Sequence, residues 1–226
     1  MKTSTLILAA LLSAVRLGAE EPATAIRKII QPYTDAERTA KNRAPLAYGS
    51  KSVSKTGEIP DQLDCSTLAS AVLHEYLNHD WSKFDQTIQQ RWGDEIATAY
   101  KLGSGAIQAS LAHHIEALDK KTLKPGVYYF DLRNQRALHP ETAKRTNGAA
   151  GHTGFLIVEG TGAAQVVTQI HMSGTTAASD KPGGGLAYNK DRWKSFLTIS
   201  QYGNTRDKLK SSQLTIYPLP MRPPAN

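Results

Sequence analysis

The stretch "HTGFLIVEGTGAAQVVTQIH", His152 to His171, reads as two β-strands around a turn. Phe, Leu, Ile and Val fill its first half, Val, Val and Ile its second, and the "EGTGA" between them supplies the glycines of the turn. The sequence around it continues the pattern. Pro125-Gly126 make a turn before the β-rich run Val127 to Leu132, and "WKSFLTIS" and "QLTIYPL" towards the C-terminus read as two further strands. Residues 133–150 form a polar loop, and "SDKPGGGLAYN" a Gly-rich one. These strands are joined by turns and loops, which predicts an antiparallel sheet.

The first half of the chain is helical in character. In "LDCSTLASAVL", Leu63 to Leu73, Asp64 is placed to cap a helix whose first turn holds Cys65. Leu68, Val72 and Tyr76 recur at four-residue spacing beside the row Ala69, Leu73 and Leu77, a wide apolar stripe. A less regular helical zone follows from Trp81 to Leu102. Ser104 is then placed to cap a helix faced by Ile107, Leu111, Ile115 and Leu118. Residues 20–45 are charged and weakly helical, broken by Pro32 and closed by Pro45, and are expected to pack against the domain; residues 46–62 are loop-rich. Helices first and an antiparallel sheet after is an α+β layout. There are no internal repeats and no linker that demands a second domain. The expected organisation is one domain over 46–226, with a helical insertion near 79–122.

Composition narrows the class. With 40% hydrophobic and 21% charged residues in 226, the chain is that of a soluble globular protein. Its net charge of +7 favours encounter with anionic surfaces such as cell-wall polymers. No basic run is interleaved with aromatics, so nucleic acid is not an expected partner. At the N-terminus Lys2 precedes an apolar core from Leu6 to Val15, and small residues lead to a cleavage point at Ala19, with Ala25 a second choice. Residues 1–19 read as a signal peptide and the protein as secreted or periplasmic; an uncleaved anchor is the alternative. The apolar run is too short to span a bilayer.

Export gives the single cysteine its interest. One thiol cannot make an internal disulfide, so Cys65 is a buried free thiol, a link to another chain, or a reagent. At a helix N-terminus the partial positive charge favours a thiolate. A nucleophile needs a base and a group to orient that base. Facing residues in a hairpin have numbers of constant sum. A turn centred between Thr161 and Gly162 therefore makes His152 and His171 direct cross-strand neighbours, with Cβ atoms about 4.5–5.5 Å apart. A slip of one residue would put them on opposite faces.

"DCST" before an apolar helix, "LKPGVYYF", "GHTGFLIVEG" and "QIHMSG" together resemble the NlpC-type superfamily of papain-like cell-wall cysteine peptidases. The motifs are scattered between Pro45 and Ser173. The resemblance implies a papain-like fold, Cys65 as nucleophile, His152 as general base and acid, and His171 as the orienting third member. It implies hydrolysis of amide bonds in peptidoglycan stem peptides without metal; no cofactor is expected, and the protein is expected to be a monomer. Tyr48, Asp64 and Ser66 are the candidate substrate contacts, although Asp64 reads first as a helix cap and Tyr48 first as a packing residue. The chain departs from the family in its long separation of Cys65 from His152, in Thr67 where glycine is customary, and in its long Gly-rich loop after His171. Two other readings stay open: a non-catalytic wall-binding or scaffold protein on the same fold, and a thiol acyltransferase.

Other motifs are weaker. His113 and His114 are adjacent, so on a helix they diverge by about 100° and do not suit one metal. "HEYLNH" spaces its histidines five apart, which leaves the shared face that a zinc helix needs. "KPGGGLAY" lacks the Gly-Lys-Ser/Thr ending of a phosphate loop and reads as a flap near the cleft.

Overall fold

The computed structural model describes residues 20–49, 51, 53–134, 138, 151–174, 179, 183–191 and 205–224. The signal segment, most of the polar loop and the strand expected over "WKSFLTIS" lie outside the described residues. The helical elements are α1 (Pro22–Ile30), α2 (Asp35–Ala40), α3 (Cys65–Tyr76), α4 (Gly93–Ala99), α5 (Leu111–Asp119) and α6 (Arg206–Ser211), with short 3₁₀ turns at Gln31–Tyr33, Trp81–Lys83 and Ile88–Gln90. The strands are β1 (Ala47–Tyr48), β2 (Gln62–Leu63), β3 (Ile107–Ser110), β4 (Gly126–Arg133), β5 (Gly151–Glu159), β6 (Val166–Ser173), β7 (Gly185–Lys190) and β8 (Gln213–Pro218). β1 and β2 form a small parallel pair, and the other six make one antiparallel sheet in the order β3-β8-β4-β5-β6-β7. The protein is α+β, with helices packed on a six-stranded antiparallel sheet.

Two apolar layers sandwich the central strands. On one face Val127, Tyr129, Phe155, Ile157, Ile170 and Met172 meet α3, which buries Leu68, Ala69, Val72, Leu73 and Tyr76. Helix α1 joins this layer through Ala25, Ile26, Ile29 and Ile30, a helical stripe that ends where Pro32 denies the next turn a donor. On the other face Tyr128, Phe130, Leu132, Leu156, Val158, Val167, Leu214 and Ile216 pack with Leu111 and Leu118 of α5. Burial on both faces explains why "FLIV" in β5 shows no polar alternation.

Three expectations are corrected. The cap at Ser104 is not used: residues 107–110 are a strand beside β8, and Ser110 caps α5 by accepting from the His113 N–H at 3.2 Å. Ile107 is accordingly 47% exposed and not on the helix face. The end of the Gly-rich loop is strand β7, paired with β6 through Met172–Leu186 and Ile170–Tyr188. The central hairpin also has a different centre. Phe155 faces Ile170 and Val158 faces Val167, so the connection is centred between Gly162 and Ala163. A turn of 3₁₀ helix over Gly162–Ala164, with Gly160 and Gly162 at positive φ, takes up the additional length.

Candidate active site

Cys65 is the first residue of α3, and the Asp64 side chain caps that helix by accepting from the Thr67 N–H at 2.7 Å and the Ser66 hydroxyl at 2.8 Å. The single Ser66 hydroxyl proton is shared between Asp64 and the carbonyl of Gln89, which ties the 88–93 segment to the start of the helix. The helix is held to the sheet from the other side, where the Thr153 hydroxyl donates to the Cys65 carbonyl at 3.1 Å. Cys65 thus lies partly exposed in a cleft of about 150 Å³ lined by Tyr48, Asp64, Ser66, Gln90, Arg91, Trp92, Gly151, His152 and Thr153.

The two histidines are paired. His152 Nε2 lies 2.9 Å from His171 Nδ1, with the rings nearly perpendicular. The register makes them diagonal neighbours on one face, because the turn moved the pairing by two residues and so preserved parity. His171 lies over Gly154, where a Cβ would come within 2.6 Å of the His171 Cβ and 2.5 Å of the Ile170 carbonyl oxygen. Phe130 flanks both rings. Burial lowers both pKa values, His171 to about 4 and His152 well below its usual value, the latter with a further contribution from His171.

Thiol and imidazoles occupy different faces of the sheet. Thr153 points to the α3 side with Phe155 and Ile157. His152 and His171 share the opposite side with Phe130, Leu156 and Val167. His152 reaches the Cys65 cleft as part of the end of β5, while its ring sits against Phe130. The thiol is correspondingly not a resting thiolate. Burial and the neighbouring Asp64 carboxylate push Cys65 up to about 11, against the opposing pull of the backbone N–H groups of Thr153, Ser66 and Cys65. Desolvation therefore outweighs the helix terminus.

Of the candidate substrate contacts, Tyr48 stands nearest the chemistry. Its hydroxyl interacts with the Cys65 thiol, its ring lies against Gly174, and burial followed by Cys65 and Asp64 holds the phenol well above its usual pKa. Asp64 and Ser66 line the cleft but use their side chains to cap α3 and fasten Gln89.

Sequence reasoning passed over the opposite wall. Trp92 packs on Gly151, where a Cβ would come within 2.6 Å of the indole, and Gly93 lies against Asp131 with no room for a Cβ. Behind this wall an ionic group runs from buried Asp131 out to exposed Asp94: Arg133 Nε donates to Asp131 at 2.7 Å, Arg133 pairs with Asp94 at 2.9 Å, and the Tyr217 hydroxyl donates to Asp94 at 2.5 Å. Asp131 Oδ1 has no hydrogen-bond partner among the described residues. The one available signal was the Gly in "QRWGDE", an aromatic–glycine step inside an otherwise polar segment.

Fold and site define an α+β protein with a cysteine-bearing cleft at a helix N-terminus, next to a buried histidine pair. The chain matches no family model, and no curated protein or solved structure is significantly similar to it. Among the described residues no helix is long and apolar enough to cross a membrane.

Proposed function

We propose that this protein is a secreted, papain-like cysteine hydrolase that cleaves amide bonds of peptidoglycan stem peptides. The observation that carries the reading is the placement of Cys65 as the first residue of α3 in a cleft that His152 also lines, with His152 held by His171 at 2.9 Å. Cys65 Sγ attacks the amide carbon, and the backbone N–H groups at the start of α3 receive the developing oxyanion. His152, neutral at rest, takes the thiol proton and returns it to the leaving amine. Water then cleaves the thioester. At rest His171 holds the neutral His152 ring on the face of the sheet opposite α3.

The reaction requires residues 151–153 at the end of β5 to turn, so that the His152 ring comes to the α3 side of the sheet when substrate enters. A thiol pushed up to about 11 belongs to a resting state, and activation is coupled to that movement. The same two facts, a protonated thiol and imidazoles on the far face, favour a second reading: a non-catalytic wall-binding protein on this fold.

The deciding experiment is mass spectrometry of peptidoglycan treated with wild type, Cys65→Ala and His152→Ala. The hydrolase reading expects peptides released by wild type alone. It fails if wild type releases nothing that Cys65→Ala does not, and retained wall binding by both proteins then establishes the second reading.

A further inference from the structure

The wall that faces Cys65 is built by residues 88–93, which lie in the segment that the family resemblance leaves unaccounted for. This wall is fixed in place. Ser66 donates to the Gln89 carbonyl, the Trp92 indole is seated on Gly151, and the Tyr129 hydroxyl donates to the Gly93 carbonyl at 3.1 Å. Gly93 in turn abuts Asp131 on β4. A wall fastened from four directions presents its remaining side chains in a fixed relation to the thiol.

Two of those side chains reach solvent. Trp92 is 43% exposed, and the Arg91 side chain is 55% exposed. Among the described residues Arg91 has one ion-pair partner, Glu95, at 3.9 Å, the outer limit of an ion pair, with Asp85 as a more distant charge, which leaves most of the guanidinium fork open. The carboxylate on the facing wall does not compete for it. Asp64 is occupied by the Thr67 N–H and the Ser66 hydroxyl.

We propose that Arg91 and Trp92 form a clamp for an acidic peptide. The guanidinium takes a carboxylate of the bound peptide, and the indole covers the adjoining chain. The ligand class is a peptide with a free carboxylate next to the bond presented to Cys65; the assignment rests on the proposed use of this cleft for substrate. An arginine fork binds a planar carboxylate through two parallel bonds, so converting that carboxylate to a carboxamide removes both charge and geometry. Trp92 adds apolar cover that is indifferent to the change.

The test uses the full chain carrying Cys65→Ala, which separates binding from cleavage. Calorimetry compares the tripeptide L-alanyl-γ-D-glutamyl-L-lysine, with its free glutamyl α-carboxylate, against the same tripeptide carrying an α-carboxamide. The expected result is roughly tenfold tighter binding of the acid, in line with one charge-assisted bidentate contact. Arg91→Gln in the same background should abolish that preference, and Arg91→Lys should keep part of it. Trp92→Ala should weaken both peptides equally. Equal affinities for the two peptides, a preference that survives Arg91→Gln, or no binding of either would overturn the clamp. A clamp that passes while wild type cleaves nothing would leave this inference standing and sink the hydrolase.

Discussion

Asp131→Asn should change how the stability of this protein depends on pH. Asp131 is 1% exposed, and burial, together with Asp94, holds its carboxyl up at about 7 although Arg133 pulls the other way. In the unfolded chain the same group titrates near 3.8. Between those values the folded protein keeps a proton that the unfolded chain has released. Raising the pH through this window therefore favours unfolding, and above about 7 the loss levels off. A shift of about three pH units corresponds to at most about 4 kcal/mol between pH 4 and 8, and relaxation around Arg133 reduces it. Asparagine fills the same space beside Gly93 and cannot ionise. Arg133 keeps Asp94 at 2.9 Å. Urea denaturation at pH 5 and pH 8 is the assay. The variant should be slightly less stable than wild type at pH 5 and should recover by about 1–2.5 kcal/mol relative to it at pH 8. Parallel pH profiles for the two proteins would refute the assignment of a proton to buried Asp131.

Gly154→Val should cost about 3 kcal/mol, because its Cβ would overlap the Ile170 carbonyl and the His171 Cβ, and a thermal melt should fall by roughly 6–12 °C. Cys65 should react with iodoacetamide slowly at pH 7, with a rate that climbs towards its pKa of about 11. Asp64→Asn keeps a capping oxygen while removing the charge, so it should speed labelling several-fold at pH 8; an unchanged rate would show that Asp64 does not bias the thiol. Arg38 is 1% exposed and donates to the Ala44 carbonyl at 2.6 Å and to Asp61 at 2.6 Å. Arg38→Met should cost about 1–2 kcal/mol in chemical denaturation, since it removes the bonds to the Ala44 and Pro60 carbonyls and the ion pair with the largely exposed Asp61.

What the sequence made legible was local. The α3 cap, the stripe from Leu68 to Tyr76 and the runs Val127–Leu132 and Phe155–Val158 follow from spacing, residue type and capping chemistry, and each forms where those rules place it. The stretch from Gly103 to Leu118 was misread because Ile107, Leu111, Ile115 and Leu118 keep helical spacing across a strand–helix junction. Pairing with β8 overrode the periodicity of its first residues. The cleft wall was illegible for another reason. Trp92 and Gly93 are where they are because Gly151 and Asp131, distant in sequence, leave shapes that only these residues fill.

The histidine pair shows how far a local rule carries. Parity along a strand survives a shift of two residues, so His152 and His171 share a face although the turn is centred one residue later than its glycines suggest. Parity within one hairpin says nothing about which face receives the cysteine helix. That choice is made by the whole apolar layer, in which Phe155 and Ile157 rather than Leu156 and Val158 meet α3. The consequence is chemical. The thiol sits in the cleft beside a carboxylate and is kept protonated, and the imidazoles are buried beside Phe130 and kept neutral. On the proposed hydrolase reading, Cys65 and His152, both uncharged at rest, form an ion pair only when something moves them together. On that reading the end of β5 is the segment that moves, because Gly151 and Thr153 face the cleft while the His152 ring between them faces away. Gly151→Ala would press a methyl group into the Trp92 indole and displace that segment or the wall. If activation depends on this end of β5, the substitution should lower kcat more than it alters peptide binding by the Cys65→Ala protein; equal losses in both would place Gly151 in the binding wall alone.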